Sequence, residues 1–197
     1  MTAPMDPYRW DLGLFHAIHA GAPPSHAMLA WARALADAPL VLTAGLLGVL
    51  ILLPRLSMRT AACRAFAAAM LALAANGLIG LAWDRPRPFV AGVGQAWIAH
   101  AATGSFPSDH LSLQWTVAGM LLLEGRTRPW GAAIAVLGLP MAWARVYLGV
   151  HYPSDMVGAL GMAALATVAG RGVLGRQRAG APRSASAGDL TGPTLRT

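Results

Sequence analysis

Five stretches of this 197-residue chain stay apolar for about the 20 residues that a helix needs to cross a bilayer core. They run from Asp37 to Leu53, Ala61 to Trp83, Pro107 to Leu123, Trp130 to Val150 and Ser154 to Val173, the third being short. The first is expected to extend a helix that starts near Pro24 and bends at Pro39. Residues Asp11–Ala20 carry Leu12, Leu14, Phe15 and Ile18 on one side, the pattern of a short helix lying in the membrane interface. The fold predicted is therefore all-α: a polytopic membrane helix bundle of about five transmembrane helices plus an N-terminal interfacial helix, spanning residues 1–175. From Arg176 to Thr197, Gly, Pro, Ser, Ala and Arg dominate, which predicts a disordered tail.

Charge supports the same class. Only 12% of the residues are charged, against about 25% in a soluble domain. That is too few to cover a water-facing surface, which argues against a soluble enzyme and against a nucleic-acid module. All 15 basic residues are Arg. Five of them, with one Asp, fall between Arg171 and the end, so the basic excess is a tail feature rather than a DNA footprint. The single cysteine, Cys63, permits no internal disulfide and sits in an apolar run as a small packing residue. Asp6, Asp11 and the Pro23-Pro24 pair interrupt any apolar run near the start, so a signal peptide is not expected.

Arg placement sets the expected orientation. Arg55, Arg59, Arg64, Arg126, Arg128, Arg171, Arg176, Arg178, Arg183 and Arg196 fall on one side; Arg9, Arg33, Arg85, Arg87 and Arg145 fall on the other. The richer side, with the tail, is predicted to be cytoplasmic. The segment Asp84–Asp109 and the turn around His151 then share the outer face of the membrane.

Three polar clusters lie at outer ends of spans, where ionisable residues are functional candidates by default. Arg85-Pro86-Arg87-Pro88-Phe89 presents two guanidiniums on a backbone stiffened by proline, and guanidinium suits phosphate oxygens. Ser105-Phe106-Pro107-Ser108-Asp109-His110 opens a span, with Pro107 at a first turn, so that the N–H groups of Ser108, Asp109 and His110 form an anion site. Arg145, His151 and Asp155 form the third; a carboxylate four residues from a histidine can orient its ring. Each alone also fits a blander role: a topogenic Arg pair, a helix cap, an interfacial His. Together they supply arginines, two histidines, a serine and a helix N-terminus on one face, a set suited to phosphoryl transfer. One histidine can attack phosphorus while the other protonates the leaving oxygen. No Cys/His pair or carboxylate cluster has metal spacing, so neither metal nor other cofactor is expected.

At these residues the chain resembles the type 2 phosphatidic acid phosphatases, and within them the bacitracin-resistance type undecaprenyl pyrophosphate phosphatases. The family pattern is Arg-Pro, then Pro-Ser-(Gly or Asp)-His, then Arg-x5-His-x3-Asp. Here it is met by Arg87-Pro88, Pro107-Ser108-Asp109-His110, and Arg145, His151 and Asp155. The resemblance covers about residues 12 to 175. It implies that His151 is the nucleophile, Asp155 its orienting carboxylate and His110 the general acid, with Arg87, Arg145 and Ser108 and the amides after it holding phosphate. It implies a membrane phosphatase releasing phosphate from a polyprenyl diphosphate, acting on a lipid phosphate among membrane lipids, with no nucleic acid and no required protein partner.

Two positions depart from the pattern. A Lys that many members carry seven residues before Arg87 is Gly80, and the third motif opens on Ala144 rather than Ser. Arg85 is expected to replace the missing cation at the phosphate, and Asp109 to pair with Arg85 or modulate His110. His100 belongs to the subgroup pattern without a defined role. His16, His19 and His26 are expected at the interface. Two other readings stay open: a phosphatase for phosphatidylglycerophosphate, lipid A or phosphatidic acid, and a redox or carrier protein with His110 and His151 as ligands.

Overall fold

The computed structural model describes residues 8–179. Six α-helices follow in order: α1 (Arg9–Ile18), α2 (His26–Leu52), α3 (Leu56–Ala82), α4 (Asp109–Leu122), α5 (Arg128–Tyr147) and α6 (Pro153–Ala179). No strand occurs among the described residues. The all-α class is as expected, and each apolar stretch is helical. α2 begins where Ser25 caps it, its Oγ accepting from Met28 N at 3.2 Å, and passes through the buried Pro39 without interruption. α6 continues to Ala179, past the boundary expected at Arg176; the rest of the predicted tail lies outside the described residues.

α4 is the axis. It packs against α3, α5 and α6, while α2 lies against α5 and α3. Its buried residues include Leu111, Gln114, Val117, Ala118 and Leu121. The facing surface of α3 is alanine, with Ala61, Ala62, Ala65, Ala68, Ala69 and Ala72 all buried. Such small side chains let backbones approach closely, the usual solution where lipid rather than water surrounds the helices. Polar bonds tie the centre: Thr43 Oγ1 donates to Gln114 Oε1 at 3.0 Å, and Gln114 Nε2 donates to Ile134 O at 3.1 Å.

The outward faces are apolar. Leu42 and Leu52 on α2, Leu71 and Leu81 on α3, Leu139 on α5, and Leu160 and Val168 on α6 are all exposed. Cys63, expected to be packed, is exposed on α3. A surface this apolar is stable in lipid, not in water. α2 and α3 are each long and apolar enough to cross a membrane. α4, with 14 residues, reaches only about 21 Å at 1.5 Å per residue.

Two connections form one end of the bundle: the long segment between α3 and α4, and the short turn between α5 and α6. Trp97 pins the first, its N donating to Leu148 O and its Nε1 to Ala20 O, while Arg33 Nη2 donates to Trp97 O. The turn depends on Gly149, whose φ of 76° disfavours any side chain and whose Cβ would collide with Gln95 O. α1 packs beside this end on α5 and α6. It is not a helix merely lying on the surface: Asp11 and Phe15, one turn apart, are both buried.

Candidate active site

The turn after Gly149 places His151, which is 2% exposed, at the centre of this end. Its Nδ1 lies 3.2 Å from Asp155 Oδ2, one helical turn on in α6. Its Nε2 lies 3.1 Å from Arg87 Nη1. Arginine can only donate and the carboxylate can only accept. The ring therefore carries its proton on Nδ1, with the Nε2 lone pair facing the arginines. Burial, then the positive charges of Arg87 and Arg145 and neighbouring His100, hold His151 well below the ordinary histidine range, so it is neutral at pH 7. A neutral imidazole with its Nε2 lone pair turned away from a supporting carboxylate is equipped to attack phosphorus.

Arg87 is built into the site's wall. Nε donates to Thr103 O at 2.9 Å, Nη1 to Val150 O at 3.0 Å and to His151, and Nη2 to Gly104 O at 3.0 Å. These bonds occupy four of its five N–H groups and join both connecting segments to His151. Burial is the main effect lowering its pKa, yet a guanidinium stays charged.

Arg145 contrasts with it. It is 2% exposed, and among the described residues its one hydrogen bond is 3.4 Å from Nη2 to Asp37 Oδ1. Among the same residues its buried Nε and Nη1 have no partner, and neither has Ser108 Oγ. Buried donors of this kind normally find partners, and those that do not call for an explanation. Ser108 caps α4 in position but makes no side-chain cap bond. Pro107, expected in the first turn, lies before α4, and Ser108 N, expected to face an anion, donates to Asp155 O at 3.4 Å; the amides without an acceptor in the helix begin with Asp109 N. His110 is half-buried in that first turn, within electrostatic reach of Arg145, His151, His100 and Arg87. Unsatisfied donors, a helix N-terminus and arginine charge lie around His151, an arrangement that can bind a tetrahedral oxyanion.

Two sequence expectations change here. Arg85 does not face the phosphate position. Its Nη1 donates to Asp155 Oδ1 at 2.7 Å and its Nη2 to Asp11 Oδ2 at 2.6 Å, so it stands behind Asp155, on the side away from His151 Nε2. It therefore does not replace the cation missing at Gly80, which instead borders a cavity of about 620 Å³ with Asn76, Asp84 and Asp109. Asp109 pairs not with Arg85 but with Asn76, whose Nδ2 donates to its Oδ1 at 2.9 Å. That leaves the Asp109 amide, not its carboxylate, available to an anion. His100 meets His151 edge-on, ring centroids 6.0 Å apart, with burial chiefly lowering its pKa. His19 is not simply interfacial: Nδ1 lies 3.1 Å from Tyr147 O and the ring stacks on Phe15.

Asp11, Asn76 and Ser154 were not singled out as site residues. For Asp11 a signal exists: an acid four residues before Phe15 falls on the face that α1 buries. Asn76, deep in an apolar helix, is a comparable anomaly.

Comparison with known proteins bears on this geometry. The profile of the PAP2 superfamily matches residues 61–177. YbjG of Escherichia coli (strain K12), provisionally assigned as an undecaprenyl-diphosphatase, is 45% identical over 83 residues, which are 42% of this chain and 41% of YbjG. The undecaprenyl-diphosphatase BcrC of Bacillus subtilis (strain 168) is 39% identical over 88 residues, 45% of each chain. The matches thus span less than half the length of these relatives. The crystal structure of Aquifex aeolicus LpxE superposes with a TM-score of 0.69 at 18% identity, over 85% of this chain and 98% of that one, a likeness of fold.

Proposed function

From the premise that the chain belongs to the PAP2 superfamily, we propose that it is a membrane lipid phosphatase that hydrolyses polyprenyl diphosphate to the monophosphate and inorganic phosphate. The observation that carries this reading is the group of buried donors without partners, Ser108 Oγ with Arg145 Nε and Nη1, beside a neutral histidine backed by Asp155. The diphosphate preference rests on the likeness to the two undecaprenyl-diphosphatases.

His151 Nε2 attacks the terminal phosphorus. As the N–P bond forms, the P–O bond to the lipid monophosphate breaks, and His110 protonates the leaving oxygen. Arg145, Ser108, the first amides of α4 and the remaining N–H of Arg87 bind the phosphoryl oxygens. Asp155 orients His151 and balances its charge. Water then hydrolyses the phosphohistidine, releasing phosphate.

In this reading α2, α3, α5 and α6 span the membrane around the shorter α4, with the active site outside and the C-terminus in the cytoplasm; the Arg distribution and the apolar outer faces support this. The role is recycling of the cell-envelope lipid carrier. The test is phosphate release from a panel of lipid phosphates by sealed right-side-out vesicles. Release from polyprenyl diphosphate without permeabilisation, abolished in His151→Ala, is expected. Release by His151→Ala, or only after permeabilisation, contradicts the nucleophile or the orientation respectively.

A further inference from the structure

We propose that Asp11, on α1, is a positioning residue for the chemistry of His151, acting through Arg85 and Asp155. The proposal rests on the reading of His151 as nucleophile. Asp155 is fully buried. Its Oδ2 accepts from His151 Nδ1 and from Tyr152 N at 2.9 Å; its Oδ1 accepts from Arg85 Nη1 and from Ser105 Oγ at 3.4 Å. Arg85 beside Asp155 alone would make a neutral pair. Such a pair offers little electrostatic support to a ring that becomes positive when Nε2 attacks phosphorus.

Asp11 changes that sum. It is 1% exposed and binds the far side of the same guanidinium, Oδ2 accepting from Arg85 Nη2 at 2.6 Å. Ser154 donates to it twice, from N at 2.8 Å to Oδ1 and from Oγ at 2.6 Å to Oδ2. Two carboxylates around one guanidinium leave one net negative charge on the Nδ1 side of His151, opposite Arg87 at Nε2 and complementary to the imidazolium of the transition state. All three groups are buried, so water screens this charge weakly. The planar guanidinium also fixes the angle between the carboxylates, and the Tyr152 ring lies over it with Cζ 4.2 Å from the centroid. Phe15, one turn after Asp11, packs on Tyr152 and seats α1 there. Residues 74 and 144 positions apart from Asp11, Arg85 and Asp155, are thus joined in one unit by the N-terminal helix.

The experiment is single-turnover formation of phosphohistidine from a prenyl diphosphate by the full-length protein in detergent. It compares the unaltered chain with Asp11→Asn, Asp11→Glu and His151→Ala. A first-order rate constant does not depend on the fraction of folded protein, whereas the amplitude does; a merely structural Asp11 would lower amplitude alone. Asp11→Asn should lower the rate constant about 10- to 100-fold, the range for groups that orient a reacting ligand. Asp11→Glu keeps the charge and should remain much faster than Asp11→Asn. An unchanged rate constant in Asp11→Asn overturns the proposal, and so does equal impairment of Asp11→Glu. A failure of the phosphatase reading looks different: no phosphoenzyme forms in the unaltered chain, or it still forms in His151→Ala.

Discussion

Arg145 should be a residue whose removal stabilises the empty protein while disabling it. Its guanidinium is 2% exposed, and its single bond, 3.4 Å to Asp37, reaches a carboxylate that is 65% exposed. A pair with so exposed a partner contributes at most about 1 kcal/mol. Replacing poorly compensated buried charge by an apolar chain of similar length typically stabilises by about 1–4 kcal/mol. At about 2–4 °C per kcal/mol for a chain of this size, Arg145→Met should melt several degrees higher. Catalysis should move the other way. The two unpartnered donors, Nε and Nη1, would each make a charge-assisted bond to phosphate worth about 1.5–3 kcal/mol. Their loss together corresponds to about 10²- to 10⁴-fold in kcat/KM. The assay is thermal melting in detergent with and without vanadate as a phosphate analogue, beside initial rates on polyprenyl diphosphate. Vanadate should stabilise the unaltered protein and leave Arg145→Met unmoved. A lower melting temperature with activity retained would refute the reasoning, since Arg145 would then be a structural ion-pair partner.

Two further outcomes follow from the site. His110→Ala should raise selectivity for diphosphates while lowering overall activity, because a lipid monophosphate expels a basic alkoxide and needs the proton, whereas a phosphate leaving group has a second pKa of about 6; equal single-turnover losses on matched mono- and diphosphates would leave His110 as a binding residue only. His151 gives the pH dependence of stability: burial and nearby arginines keep it neutral when folded, but in the unfolded chain it takes up a proton below about pH 6.5, so stability present above that pH is lost beneath it. One pH unit below that point the loss is about 1.4 kcal/mol, and His151→Gln should therefore lose less melting temperature than the unaltered protein between about pH 7.5 and 5.5; parallel losses would argue against a buried neutral His151.

Much of the site was legible in the sequence because its parts are local. His151 lies two residues before α6, and Asp155, third in that helix, folds its carboxylate back onto Tyr152 N and His151 Nδ1, a contact confined to five consecutive residues. A helix N-terminus beside Ser108 is also legible in the chain, although α4 starts at Asp109 with Ser108 as its cap, two residues after the expected start at Pro107. The apolar runs determine helices for the same reason: backbone groups in lipid must bond within their own segment. Arg85 and Arg87 are another matter. Two residues apart in one Arg-Pro repeat, they look equivalent, and only the packed bundle separates them. Arg87 reaches His151, while Arg85 reaches Asp155 and Asp11. No local rule reveals that partner, because Asp11 is 74 residues away and reaches Arg85 only once α1 has docked on α5 and α6. Asp109 shows the same limit: beside the site in sequence, its carboxylate is claimed by Asn76 of another helix. Sequence alone determined which residues carry reactive groups and which lie one turn apart; tertiary packing decided the partner of each charge, because that depends on how the helices meet in space.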